Sequence, residues 1–313
     1  MVSYLVTGGA GFIGSHMVET LLRNGEDVRV LDNFSTGKKV NLEPFNSDFE
    51  LMNADIKDMD SVKKAVSGTD YVIHVAAQRS VPLSIDDPVG CNNNNINGTL
   101  NVLLASRDAG VKRVVFVSSS SVYGNQEVFP QSEALLPRPI SPYAVSKVAG
   151  EYYCSVFYQV YGLETVSLRY FNVFGPRQDP KSQYANVIPL FMTCAMNDDT
   201  VKVHGDGLQS RDFTYISDTV GATLLAAKAP KAAGHSFNVG NGKIYTVMDI
   251  VHGIEEIAGK PLRYSHTKPR DGDPRRTQAD TTKAKELLGY TAKVGFKEGL
   301  QNTWDSFLSK VVV

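Results

Sequence analysis

The chain has 313 residues, 21% of them charged, and a net charge of −1 at pH 7 with both signs spread along its length. That is enough chain for one large α/β domain and a smaller lobe, and the balanced charge excludes a general nucleic-acid binder, which needs a basic face. No basic leader, long apolar segment or cleavage site occurs, so neither export nor membrane spanning is expected. Three scattered cysteines, Cys91, Cys154 and Cys194, read as reduced thiols of a cytoplasmic protein, not as a disulfide frame or metal site.

The first half alternates. Strand-like runs at Tyr4–Val6, Val28–Leu31, Tyr71–Val75, Arg113–Val117 and Thr165–Leu168 are separated by helical stretches at Phe12–Asn24, Ser61–Ser67 and Thr99–Ala109. Continuous apolar strands alternating with helices predict an α/β fold, a doubly wound parallel sheet of Rossmann type covered on both faces. Gly25 and Gly110 fall just past helices, where C-caps belong. After about residue 170 the rhythm breaks at Pro176, Pro180 and Pro189 and at the Gly205-Asp206-Gly207 turn. The expected division is therefore a large domain over 1–170 and a second, smaller α/β lobe over 171–212 and 239–313. Strand-like Phe213–Ile216 and Phe237–Val239 are expected to return to the large domain, which then takes in about 213–238.

The first strand runs into Gly8, Gly11 and Gly14, spaced G-x-x-G-x-x-G, and an amphipathic helix follows. Glycine permits a tight turn and close approach of backbone to a pyrophosphate. The helix start, with Phe12 and Ile13 inside the turn, offers free N–H groups and a partial positive charge. Asp32 closes the next strand, 18 residues after Gly14. A carboxylate there accepts from a ribose diol and repels a 2′-phosphate, so the expected cofactor is NAD rather than NADP. Asp55, after the third strand, fits either the adenine edge or the start of the helix that follows.

Further along, Tyr143 and Lys147 stand four apart on a helix whose start is marked by Ser141-Pro142. A free phenol has a pKa of about 10, too high for a base near neutrality. A lysine on the same face is expected to favour the phenolate and to hold the nicotinamide ribose. Ser119, from the Ser118–Ser121 run at a predicted strand end, would link the phenol to a substrate oxygen. The helix continues as Val148–Tyr161, whose Tyr152, Tyr153, Val156, Phe157 and Val160 are either core or a dimer surface.

In combination these motifs resemble the extended short-chain dehydrogenase/reductase family, and within it the nucleotide-sugar 4-epimerases, over nearly the whole chain. The resemblance rests on the glycine turn, Val72–Ala77, Asn94–Thr99, the serine run, the Tyr/Lys pair, Leu168–Asn172 and Ser210–Phe213. It implies catalytic Ser119, Tyr143 and Lys147. It adds Asn33, Ile56, Val75, Ala76, Ala77, Asn94 and Tyr170 to the NAD contacts. The implied UDP-sugar contacts are Ser80, Ser119, Ser120, Tyr143, Asn172, Asn186, Val187, Arg211, Arg270, Asp273 and Thr277. Arg211 and Arg270 suit a diphosphate, which arginine grips bidentately, and each alone is as well read as a surface salt bridge.

The family's sugar 4,6-dehydratases carry Thr-Asp-Glu before the Val-Tyr-Gly motif, and its UDP-glucuronate decarboxylases carry a Glu there. Here Ser119, Ser120 and Ser121 precede Val122-Tyr123-Gly124. The resemblance therefore implies epimerisation at C4 through a transient 4-keto sugar, with NAD retained, rather than elimination. Before Gln278-Ala279-Asp280, strict glucose/galactose enzymes carry Tyr, and enzymes that also accept N-acetylated sugars carry a small residue; here it is Thr277. A UDP-glucuronate 4-epimerase with Arg79 facing the sugar carboxylate is the alternative, and a net oxidoreductase or dehydratase ranks below it. The family often dimerises by packing two helices per subunit, so a homodimer is expected.

Overall fold

A computed structural model describes residues 1–45, 48–180, 186–269 and 274–311. Seven parallel strands form the central sheet: β1 (Ser3–Thr7), β2 (Asp27–Asp32), β3 (Glu50–Asn53), β4 (Tyr71–His74), β5 (Arg113–Ser119), β6 (Glu164–Tyr170) and β7 (Ser236–Val239). Their spatial order is β7-β6-β5-β4-β1-β2-β3. The order reverses between β1 and β4, so the carboxyl ends of these strands open a crevice of the kind that binds ligands in doubly wound sheets.

Strand alternation decides which residue covers which face. Tyr4, Val6, Ile73, Val115 and Val117 meet Met17, Val18 and Leu21 of α1 (Phe12–Arg23) and Val220 and Ala222 of the Ile216–Lys228 helix. Leu5, Val72, Val114 and Phe116 point the other way. They meet Val62 of α2 (Met59–Val66), Val102 and Leu103 of α5 (Gly98–Asp108), and Cys154 and Phe157 of α6 (Pro142–Tyr161). Two short helices, α3 (Val81–Asp86) and α4 (Pro88–Asn92), precede α5. A further apolar cluster gathers Ile188, Phe191, Met192, Ile250, Val251, Ile254, Leu300 and Trp304 from the Val187–Asn197, Val247–Ala258 and Phe296–Val311 helices.

The helix start at Ser141-Pro142 is as expected: the Ser141 hydroxyl accepts from the Ala144 amide at 3.2 Å, and Pro142 fills the first turn. Of the apolar residues on α6, Phe157 is buried and Tyr153 half-buried, while Tyr152, Val156 and Val160 are exposed. The structure corrects one strand. Thr214–Tyr215 pairs with Val173–Phe174 outside the large sheet, and Ile216 already begins a helix that packs on the sheet. A four-residue apolar run fits either element by periodicity, and here packing chose between them. Phe237–Val239 does join the sheet, beside β6. Ala284, Leu288 and Tyr290, from the expected lobe, pack with the sheet's cluster.

Candidate active site

The glycine turn is dictated by close contacts. A Cβ on Gly14 would lie 2.1 Å from the Gly8 carbonyl oxygen, and one on Gly8, whose φ is +70°, would lie 2.8 Å from the Ala76 backbone. Val75 and Ala76 are held there, their amides donating to the Thr7 carbonyl and hydroxyl at 3.2 and 3.3 Å. The α1 N-terminus carries no side-chain cap and no acid in its first turn, so its amides are available to an anion. Asp32 ends β2 beside them and accepts from the Ala10 and Phe34 amides at 2.9 and 2.8 Å. Burial pushes its carboxyl upward against those two hydrogen bonds. Asn33 donates to Asp55 at 2.9 Å, and Asp55 also accepts from the Lys57 amide at 2.8 Å. Ile56 is buried against Gly98. An uncapped glycine turn with a carboxylate at its rim fits a dinucleotide with a free ribose diol.

Across the crevice, β5 delivers the serine run and α6 delivers Tyr143 and Lys147. Ser119 ends β5, and its side chain accepts from the Ser121 amide at 3.1 Å. Ser119 is also the first of the groups that lower the Tyr143 phenol against burial. Lys147 is buried and donates to the Val117 carbonyl at 2.8 Å, with Nζ 5.8 Å from the Tyr143 ring centroid. Burial works against the phenolate that Lys147 is expected to favour. Burial raises the Tyr143 phenol above its ordinary value, and the groups that offset this are Ser119 and Arg79. Lys147 itself is pushed down to about 8 by desolvation. Its hydrogen bond goes to the strand.

The other residues expected in the site fall into three groups. Ser80 caps α3, its hydroxyl accepting from the Leu83 amide at 3.2 Å. Asn94 donates to Asn95 at 3.0 Å, Ala77 is half-buried in the loop after β4, and the Tyr170 hydroxyl is buried against Thr223 at 2.6 Å. Asn172 and Asn186 are exposed, Val187 opens its helix, and Arg211 lies in a short strand paired with Tyr245–Thr246. Thr277 is brought beside Arg211: its amide donates to the Ser210 carbonyl at 3.2 Å, and the residue is 8% exposed with its hydroxyl unpartnered. Ser120 opens the turn after β5. Arg270 and Asp273 lie outside the described residues.

With this geometry in view, the comparisons with known proteins decide the family. A family model described as the NAD dependent epimerase/dehydratase family matches residues 4–240. The chain belongs to that family. It is 40% identical over 310 residues to a UDP-glucose 4-epimerase of Mycolicibacterium smegmatis, covering 98% of each chain. The structure of a Thermotoga maritima UDP-glucose 4-epimerase with UDP-glucose is 39% identical, with a TM-score of 0.95 and coverage of 99% of this chain and 100% of that one. A UDP-N-acetylglucosamine 4-epimerase from Methanobrevibacter ruminantium, in complex with UDP-N-acetylmuramic acid, is 37% identical, with a TM-score of 0.95 and 99% coverage of both.

Some residues that hold the candidate site together escape a reading by spacing. Asn95 accepts from the Gln78 amide at 2.7 Å and donates to the Gln78 carbonyl and Ser146 hydroxyl at 3.0 Å each, pinning the loop after β4 to α6. It sits in a π-helical turn over Asn93–Asn97, a local widening often found at functional sites. Asp212 accepts from the Asn241, Gly242 and Ala279 amides at 2.8, 2.9 and 3.0 Å, which fixes the segment bearing Thr277. Burial lifts its carboxyl to about 6. The signal for Asp212 was present in the Ser210–Phe213 motif, but not its partners. Among the described residues no group of His, Cys, Asp and Glu could hold a metal ion.

Proposed function

We propose that the protein is a UDP-hexose 4-epimerase acting on UDP-glucose and UDP-galactose and also on their N-acetylated counterparts. The observation that carries the reading is the Tyr143–Ser119 pair at the crevice. Serines occupy positions 119, 120 and 121, where the dehydratases and decarboxylases that the motif resembles carry carboxylates, which favours epimerisation over elimination. Tyr143 moves the proton of the C4 hydroxyl, Ser119 bridges phenol and sugar oxygen, and Lys147 holds the strand end and the cofactor ribose. The turn at Gly8–Gly14, with Asp32, Asn33 and Asp55, would hold NAD, which when bound supplies the hydride acceptor and donor. Ser80, Ser120, Asn172, Asn186, Val187, Arg211, Arg270, Asp273 and Thr277 are assigned to the UDP-sugar. The small side chain of Thr277 supports the wider sugar range.

Incubation with UDP-glucose, UDP-N-acetylglucosamine and UDP-glucuronate separately, with products resolved by chromatography, tests the reading. Conversion to the C4 epimer without lasting absorbance at 340 nm is expected. Net NADH build-up, or a dehydrated product, would overturn it. Conversion of UDP-glucuronate alone would select the second reading, which Arg79 favours because its charge reaches Tyr143.

We further infer a cytoplasmic homodimer. Buried free thiols at Cys91 and Cys154 suit a reducing compartment, and no described helix is long and apolar enough to cross a membrane. The exposed Tyr152, Val156 and Val160 along α6 support pairing with the same helix of a second copy. Light scattering after gel filtration should give twice the chain mass, and Val156→Lys should halve it.

A further inference from the structure

Two consecutive residues of β5 are each bound by a different turn of α6. The Val117 carbonyl accepts from Lys147 at 2.8 Å. The Ser118 hydroxyl donates to Glu151 Oε1 at 2.6 Å. Ser119 follows at the end of β5, and the Tyr143 ring centroid lies 5.8 Å from Lys147 Nζ. Tyr143, Lys147 and Glu151 are spaced by four, so they share one helix face.

Glu151 is fixed from its other side. Arg169 of β6 donates to it from Nε at 2.9 and 3.2 Å and from Nη2 at 2.7 Å, and both side chains are only 6% exposed. The remaining guanidinium nitrogen donates to the Tyr123 hydroxyl at 2.9 Å, which donates to Asn238 Oδ1 at 2.7 Å. The Asn238 side chain in turn donates to the carbonyls of Gln131 and Asp280, at 2.8 and 3.0 Å. This buried polar chain therefore spans β5, α6, β6 and β7 and ends next to the segment carrying Thr277.

A buried ion pair of this kind is often no more stabilising than apolar residues of the same volume. Its directional hydrogen bonds instead define where one element sits against another. We propose that Glu151, acting through Ser118, is a positioning residue that sets the Tyr143–Ser119 pair in register. This rests on Tyr143 being the proton-transferring group of the proposed epimerase. Glu151 touches neither the phenol nor any reacting atom; it holds the residue next to Ser119.

Glu151→Gln would leave the Arg169 guanidinium buried without a counter-charge, and that variant could fail to fold. Ser118→Ala is the sharper probe, because it deletes one hydroxyl and keeps the Glu151–Arg169 pair. Bound NAD per chain, KM for the UDP-hexose and kcat are measured for wild type and Ser118→Ala. The expected result is an unchanged NAD content and KM, with kcat falling roughly ten- to a hundredfold, the size of effect a small misplacement of reacting groups produces. A kcat per NAD-loaded chain within twofold of wild type would overturn the proposal. So would a loss of kcat that only tracks lost NAD or lost folded protein.

A second readout needs no turnover. The Tyr143 phenolate is followed by ultraviolet difference titration, with Tyr143→Phe as the blank. Lys147 Nζ lies 5.8 Å from this ring, and Ser119, Arg79 and Cys91 are the other groups that act on its phenol. A hydrogen bond from Ser119 favours the phenolate, so misplacing Ser119 should move ionisation to higher pH in Ser118→Ala. An unchanged titration refutes the positioning role even if wild type converts no UDP-hexose, an outcome that would separately sink the epimerase reading.

Discussion

Gly14→Ala tests the cofactor turn most directly. The added methyl would sit 2.1 Å from the Gly8 carbonyl oxygen and 2.7 Å from the Gly9 Cα. Non-bonded carbon contacts settle near ~3.5–4.0 Å, so the turn must open by about 1 Å or more. Both obstacles are backbone atoms and cannot rotate away. Overpacking of this type costs about 1–3 kcal/mol. Charged against the bound state, that is roughly a five- to 150-fold weaker hold on NAD. The assay is NAD released on denaturation, per chain, from protein purified without added cofactor, together with Tm. The control is Gly221→Ala in the Ile216–Lys228 helix, where nothing lies within 4 Å of the added methyl. There alanine should stabilise by up to ~1 kcal/mol through helix propensity and leave NAD content untouched. Full NAD content and unchanged Tm in Gly14→Ala would refute the close-approach argument. Equal loss in Gly221→Ala would show that the effect is not specific to the turn.

Other outcomes follow from the same geometry. Tyr143→Phe keeps the ring and removes the proton-carrying oxygen, so kcat should fall ~10²–10⁴-fold with KM nearly unchanged; a loss below about tenfold rules the phenol out as the acid/base group. Thr277→Tyr fills a nearly buried position, and its cost of about 1–3 kcal/mol should fall on UDP-N-acetylglucosamine more than on UDP-glucose; equal losses in kcat/KM would deny it a gating role. His74 is buried between the Thr7 and Thr99 hydroxyls at 2.7 and 3.0 Å, and burial lowers it to about 3. Because its folded value lies below the unfolded one, its contribution is complete above about pH 6.5 and lost as pH falls toward 3, at about 1.4 kcal/mol per unit. Urea midpoints at pH 6.5 and 5 should show wild type losing about 2 kcal/mol more than His74→Gln; parallel losses would mean that His74 is not held neutral.

The sequence by itself determined the features whose geometry is local. The turn at Gly8–Gly14 is set by strand, spacing and helix start within one stretch of chain. The Ser141-Pro142 start and the four-residue step from Tyr143 to Lys147 follow from helix geometry alone. The alternation of apolar runs was enough for the parallel sheet, since strands covered on both faces leave no other pattern. Tertiary structure decided what depends on partners distant in the chain. Spacing suggested that Lys147 would favour the phenolate, but burial of Tyr143 dominates, and Lys147 is committed to the Val117 carbonyl of a strand 30 residues away. Thr214–Tyr215 left the large sheet because Val173–Phe174 offered it a pairing edge elsewhere. Asp212 looks like one acid among many until its bond to the Ala279 amide, 67 residues on, is seen. Glu151, on a helix, acquires its place only from Ser118 and Arg169, which lie on two strands. Periodicity identifies the face a residue turns inward, whereas the hydrogen-bond partner it meets there is fixed only when separate elements pack.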